Sequence, residues 1–183
     1  MADQSHMTEL GSKAPDFSLP EVETGREVSL ADFADAPVIV VVFLCRHCPY
    51  VKHVQEELAS LARSYSDRGV AFVGVSSNDA TDYPDDGPES LAEQKRQVGF
   101  DFPYLFDESQ DVARAYRAAC TPDFFVYDHD RALAYRGRMD ETRPGKGTPD
   151  GADLRAALEA LLAGGQPDQP QWPSIGCSIK FRA

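Results

Sequence analysis

Long apolar runs are missing from this chain; the longest, Val38 to Leu44, is far too short to cross a bilayer. Positive charge is scarce too. Lysine and arginine number 18 against 30 aspartates and glutamates, a formal net charge of −12. Such a surface repels phosphate backbones and anionic lipid, which argues against nucleic-acid and membrane partners and reads as solubility. The opening "MADQSHMTELGSKAPDF" has neither the basic nor the apolar segment of an export signal, so a cytoplasmic location is expected. With 4 cysteines and no such signal, a disulfide scaffold is excluded. In a reducing compartment, paired cysteines are catalytic, redox-sensing or metal-binding. Repeats and low-complexity tracts are absent. The "HM" pair at 6–7 has the form of a cloning remnant, with Met7 as the natural start, and residues 1–10 are expected to be a flexible leader.

What is present suits one α/β domain over residues 11–165, followed by an irregular tail, 166–183, packed on it. "APDFSLPEVETGREVSLADF" reads as two short strands around a turn at Gly25. Val38 to Leu44 lacks alternation, as a strand buried on both faces does. Val51, Val54, Leu58, Leu61, Ala62 and Tyr65 recur at helical spacing, and Gly69 is placed to end that helix. "VAFVGVSS" is a second buried strand, completing a right-handed parallel βαβ unit. The acidic stretch "NDATDYPDDGPES", 78–90, reads as a solvated connection. A helix over 89–98, a strand around 102–106 and a helix over 108–119 with Val112, Ala115, Tyr116 and Ala119 inward follow. "DFFVY" and "ALAYRG" form a hairpin, and a last helix covers 153–163. The lone tryptophan, Trp172, is expected to pack and anchor the tail, while His6 and His129 read as solvated. The order predicts a mixed β-sheet with helices on both faces, a front hairpin and a C-terminal tail.

Cys45 and Cys48 fall where the first central strand gives way to the first long helix. Open α/β sheets carry their sites at that edge. A helix N-terminus offers free N–H groups and partial positive charge, both favouring thiolate over thiol. The CxxC spacing alone also fits zinc, but a structural zinc site needs about four ligands, and no second pair accompanies this one. A permanent staple is disfavoured because so short a loop gains little from closure. A redox couple is the reading that remains.

At these residues the chain resembles the thioredoxin-fold superfamily, specifically its alkyl-hydroperoxide-reductase/thiol-specific-antioxidant, peroxiredoxin-like branch. "APDFSLPEVETGREVSLADF" is similar to that branch's entry segment. "FPYLFDESQDVARAYRAACTPDFFVYDHDRALAYRG" is similar to its later half. "HCPYVKHVQEEL", "SSNDATDYPDDGPES" and "PSIGCSIKFR" resemble a CxxC-bearing subgroup. The resemblance covers roughly residues 10–165 and implies a thioredoxin-like fold with Pro122 as a cis-proline facing the thiols. Thr121 would then show its backbone to substrate. It also implies thiol–disulfide oxidoreductase activity with Cys45 and Cys48 catalytic. One departure concerns the peroxidatic Pro-xxx-Thr/Ser-xx-Cys pattern: with Cys48 at its cysteine, Cys45 replaces the hydroxyl residue and Val41 the proline. A second is that Pro122 stands nearest the expected arginine. Both weaken the peroxidase reading, in which Cys48 attacks and Cys45 resolves.

The family pattern makes Cys45 the exposed nucleophile. Pro49 speaks the other way, since proline favours the first helical position and so makes Cys48 the cap. Arg46 and His47 are expected to stabilise a thiolate and raise the reduction potential. Cys120 and Cys177 are candidate accessory thiols, each with an inert reading as well. No metal or organic cofactor is required. The expected partners are a disulfide or peroxide substrate and a thioredoxin- or glutathione-type thiol reductant, with the chain a monomer or homodimer. A different class, a soft-metal binder holding Cu(I) through Cys45, Cys48 and His53, stays as an alternative.

Overall fold

The run Val38–Phe43 forms β4 and is wholly buried. In a strand, successive side chains point to opposite faces, so this one run supplies two cores. Val38, Val40 and Val42 face one side with Val51, Val54, Leu58 and Leu154, whereas Ile39, Val41 and Phe43 face the other with Phe17, Tyr116 and Phe125. The computed structural model describes all 183 residues.

In chain order, β1 (Ala2–Gln4), β2 (Ser18–Pro20) and β3 (Glu27–Ser29) precede β4. After it come α1 (Pro49–Ser66), β5 (Val70–Ser76), α2 (Pro88–Val98), β6 (Tyr104–Phe106) and α3 (Asp111–Tyr116). The rest comprises β7 (Cys120–Thr121), β8 (Asp123–Tyr127), β9 (Leu133–Gly137), α4 (Ala152–Leu162) and β10 (Ile175–Ser178). The main sheet has the order β6-β5-β4-β8-β9. Its β4, β5 and β6 are parallel and β8 and β9 antiparallel, so the expected mixed sheet is present. Strands β2 and β3 form the front hairpin, with Gly25 at φ +69° in its turn.

Three expectations are corrected. Residues 108–119 do not make one helix: Gln110 and Arg117 both take left-handed backbone, which confines α3 between them, and Ala113 rather than Ala115 is buried. The first residues are not a loose leader, nor is the tail irregular throughout. Instead β10 lies between β1 and β7 in a second, antiparallel sheet, with Ala2 opposite Cys177 and Cys177 opposite Thr121. Finally, Trp172 leaves 51% of its surface exposed. The backbone does the anchoring: the Trp172 carbonyl accepts the Arg138 N–H at 3.0 Å, and a Cβ on Gly137 would sit 2.0 Å from that oxygen.

Between the two sheets lies Asp123, fully buried at the start of β8. One carboxylate oxygen has no partner, and the other accepts the Ala119 N–H at 3.4 Å. Burial pushes its pKa up from 3.8 to about 7. Between those values the folded chain keeps a proton that the unfolded chain releases. This group therefore favours folding fully below its ordinary pKa, and the advantage is lost as pH rises through the folded value. Asp123→Asn removes the linkage. Denaturant unfolding should show the variant gaining about 2 to 4 kcal/mol on wild type between pH 4 and pH 8. An offset independent of pH would contradict the assignment.

Candidate active site

Helix α1 starts at Pro49, whose ring supplies the helical φ and whose missing N–H would be unpaired there anyway. Cys48 is therefore the N-cap residue. Cys45 lies just past β4, and both thiols are fully buried. Facing them is the Thr121–Pro122 corner, whose peptide bond is cis. Thr121 Oγ1 is 3.2 Å from Cys45 Sγ, and the Thr121 carbonyl oxygen is 3.3 Å from Cys48 Sγ. One residue thus touches both thiols, and its strand neighbour is Cys177.

The two sulfurs are electrostatically unlike. Cys48 is held down at about 5 by the Cys45 thiol first, then by the Cys177 thiol and the Val51 N–H, against the opposing effect of burial. Cys45 is pushed far up by the neighbouring Cys48 sulfur, by burial and by the Asp86 carboxylate. The two thiols titrate as one coupled pair, with charge favoured on Cys48 by its hydrogen-bond donors and disfavoured on Cys45 by burial and Asp86. Cys177 is raised to about 12 by burial and by the Cys48 charge. Cys120 is raised by burial and Asp123, its sulfur 3.8 Å from the Pro122 carbonyl oxygen, as suits an inert buried thiol.

Cys45, read as the exposed nucleophile, is as fully buried as Cys48, and the helix entrance is occupied by Cys48. Pro49 was the signal for this helix start. Arg46 and His47, expected to tune the thiols, both bond acidic partners. Arg46 Nη1 reaches 2.6 Å from Ser90 Oγ and 2.7 Å from Glu93 Oε2, so its charge is spent on α2. His47 Nδ1 lies 2.5 Å from Asp86 Oδ2, its ring stacked on Tyr83.

Asp86 is the residue that pattern reading missed. Residues 78–90 are a solvated connection only in part: residues 81–85 are exposed, but three polar side chains turn inward. Asn78, Asp79 and Asp86 are buried, and the Asp86 carboxylate accepts the Arg46 N–H at 2.7 Å and the Asn78 amide at 2.9 Å. The density of aspartates there was the only available trace. Sulfur and polar atoms of Cys45, His47 and Asp86 come within 4.8 Å of one another, a grouping able to offer three ligands. His53 does not join the thiols, since its Nε2 bonds Thr142 Oγ1 at 2.9 Å. That separates the ligand set of the Cu(I) reading. His53, Tyr50, Pro122 and Arg138 instead help line a cavity of about 160 Å³ beside the cis-proline.

The model of the AhpC/TSA family matches residues 10–136. The chain belongs to that family. Among solved structures, this AhpC/TSA chain is similar to an uncharacterized conserved protein from Geobacillus kaustophilus, with 49% identity and TM-score 0.97 over 100% of this chain and 97% of that one. It is 28% identical to Protein FixW of Rhizobium leguminosarum, covering 71% of this chain and 61% of FixW. The chain spans about three-fifths of the length of the curated relatives it matches. The thioredoxin domain of a Bacteroides vulgatus thiol-disulfide oxidoreductase matches at TM-score 0.61 and 19% identity, over 74% of this chain and 90% of that one. That likeness makes the fold thioredoxin-like. No helix is long and apolar enough to cross a membrane.

If the Cys48 thiolate is stabilised as described, ultraviolet thiolate absorbance of the reduced protein should rise with a midpoint near pH 5, and Cys48→Ser should abolish that step. A first thiolate appearing only near the free-cysteine value of about 8.5 would contradict it.

Proposed function

We propose that this AhpC/TSA chain is a thiol–disulfide oxidoreductase that cycles Cys45 and Cys48 between dithiol and disulfide. The observation that carries the reading is the placement of Cys45 and Cys48 together at the entrance of α1, Cys48 as its N-cap, both touched by Thr121 at the cis Thr121–Pro122 corner. The Cys48 thiolate attacks one sulfur of a substrate disulfide, forming a mixed disulfide and expelling the other sulfur as thiolate. Once Cys48 is bonded, its charge no longer holds the proton on Cys45. Cys45 then ionises, attacks the Cys48 sulfur and expels the second substrate thiolate. Two electrons pass to the substrate, which leaves as two thiols after protonation. A thioredoxin- or glutathione-type thiol reductant returns the pair to the dithiol, in a cytoplasmic setting by this reading.

A stabilised thiolate stabilises the reduced form and so raises the reduction potential. By this reading the source is the neighbouring thiols and the Val51 N–H at the helix entrance. Slow peroxide reduction by Cys48 is a second reading, favoured by the family and by the same anion. Against it, Arg46 is tied to Ser90 and Glu93, away from any oxygen to be expelled.

Peroxide and disulfide turnover measured side by side should favour the disulfide by at least about tenfold, with Cys48→Ser inactive in both and a variant carrying both Cys45→Ser and Cys177→Ser accumulating a mixed disulfide. A redox titration should give a potential above the ~−270 mV of thioredoxin. Faster turnover of peroxide, or a lower potential, would overturn the reading.

A further inference from the structure

The remaining thiol in the neighbourhood is on the strand that closes the site. Strand β10 pairs antiparallel with β7, setting Cys177 opposite Thr121, the residue that touches both Cys45 and Cys48. The approach is close: a Cβ on Gly176 would lie 2.0 Å from the Thr121 carbonyl oxygen, so only glycine fits there. Both ends of the strand are tied down. Before it, Ser174 Oγ donates to the Gly137 carbonyl at 2.8 Å. After it, the Lys180 N–H reaches Asn78 Oδ1 at 2.8 Å and its carbonyl accepts the Gln110 amide at 2.8 Å. Cys177 is held against the core that contains Cys45 and Cys48, yet it is partly exposed where they are fully buried.

We infer that Cys177 is a third catalytic thiol, which carries the disulfide of the buried Cys45–Cys48 pair to the protein surface. This rests on the dithiol cycle proposed above. In the oxidised protein, the Cys177 thiolate attacks the Cys48 sulfur. A Cys48–Cys177 bond forms, the Cys45–Cys48 bond breaks with its electron pair going to Cys45, and Cys45 takes up the proton that Cys177 gave. The step is an exchange, with no net oxidation or reduction. It is timed by charge, because oxidation of Cys48 removes the anion that otherwise suppresses ionisation of Cys177. An external thiol then attacks Cys177, the sulfur it can reach. In the reverse direction the same path loads the buried pair from an external disulfide.

The test is disulfide mapping by mass spectrometry after oxidation of the full chain with glutathione disulfide and blocking of free thiols. Cys45→Ser should close a Cys48–Cys177 bond within the monomer. Cys177→Ser should still close Cys45–Cys48, but glutathione should reduce that bond at least about tenfold more slowly than in wild type, because access to the buried sulfurs is lost. Cys120→Ser should match wild type in both. The relay is overturned if Cys45→Ser yields only a glutathione adduct on Cys48, a Cys48–Cys120 bond or a crosslinked dimer. It is also overturned if Cys177→Ser is reduced at the wild-type rate. Absence of any Cys45–Cys48 bond in both wild type and Cys177→Ser would remove the dithiol cycle itself, a result separable from failure of the relay alone.

Discussion

One residue, Thr121, holds this site together. Its hydroxyl meets Cys45, its carbonyl meets Cys48, and its backbone is the partner of Cys177. Three sulfurs converge on it because the end of β4 and the start of α1 bring Cys45 and Cys48, and the distant strand β10 brings Cys177, to the short strand β7. The cis bond to Pro122 marks the corner at which β7 gives way to β8. The buried Asp123 follows, so the polar residues of the site and the pH-sensitive carboxylate share one bend in the chain.

From that arrangement the electrostatics follow without a nearby cation. Cys45 can donate its hydrogen to Cys48, and the Val51 N–H and the Cys177 thiol add to this, so charge is favoured on the sulfur at the helix entrance. Asp86 reinforces the asymmetry. Its carboxylate, gathered by Arg46, His47 and Asn78, opposes any charge on Cys45. A site tuned by thiols and a buried carboxylate needs no exposed basic residue, which agrees with the acidic surface of the chain.

Much of the scaffold was legible because it is local or strongly periodic. The unbroken apolar run at Val38, the helical spacing from Val51 to Tyr65 and the turn at Gly25 each specify an element through neighbours in sequence. The cysteine pair could be placed at a strand–helix junction for the same reason. What was not legible depends on distant pairing. Nothing near Ile175 announces that it will enter a strand between Ala2–Gln4 and Cys120–Thr121, since edge pairing is decided by where the chain arrives in space. The stretch around Asp86 looked like solvent-facing loop because burying a carboxylate there relies on donors contributed by Arg46, His47 and Asn78. The start of α1 was written in Pro49, which makes Cys48 its N-cap.

The central claim is that β10, seated on Thr121, closes the dithiol and governs access to it. The direct measurement is the alkylation rate of Cys48 in the folded, reduced protein at neutral pH, compared between wild type and Gly176→Val. A valine side chain cannot fit against the Thr121 carbonyl, so the strand must lift. The account predicts that Cys48 reacts at least about tenfold faster in the variant, since its thiol is held below the usual cysteine range and lifting the strand opens access to it. Equal rates in the two proteins would contradict it.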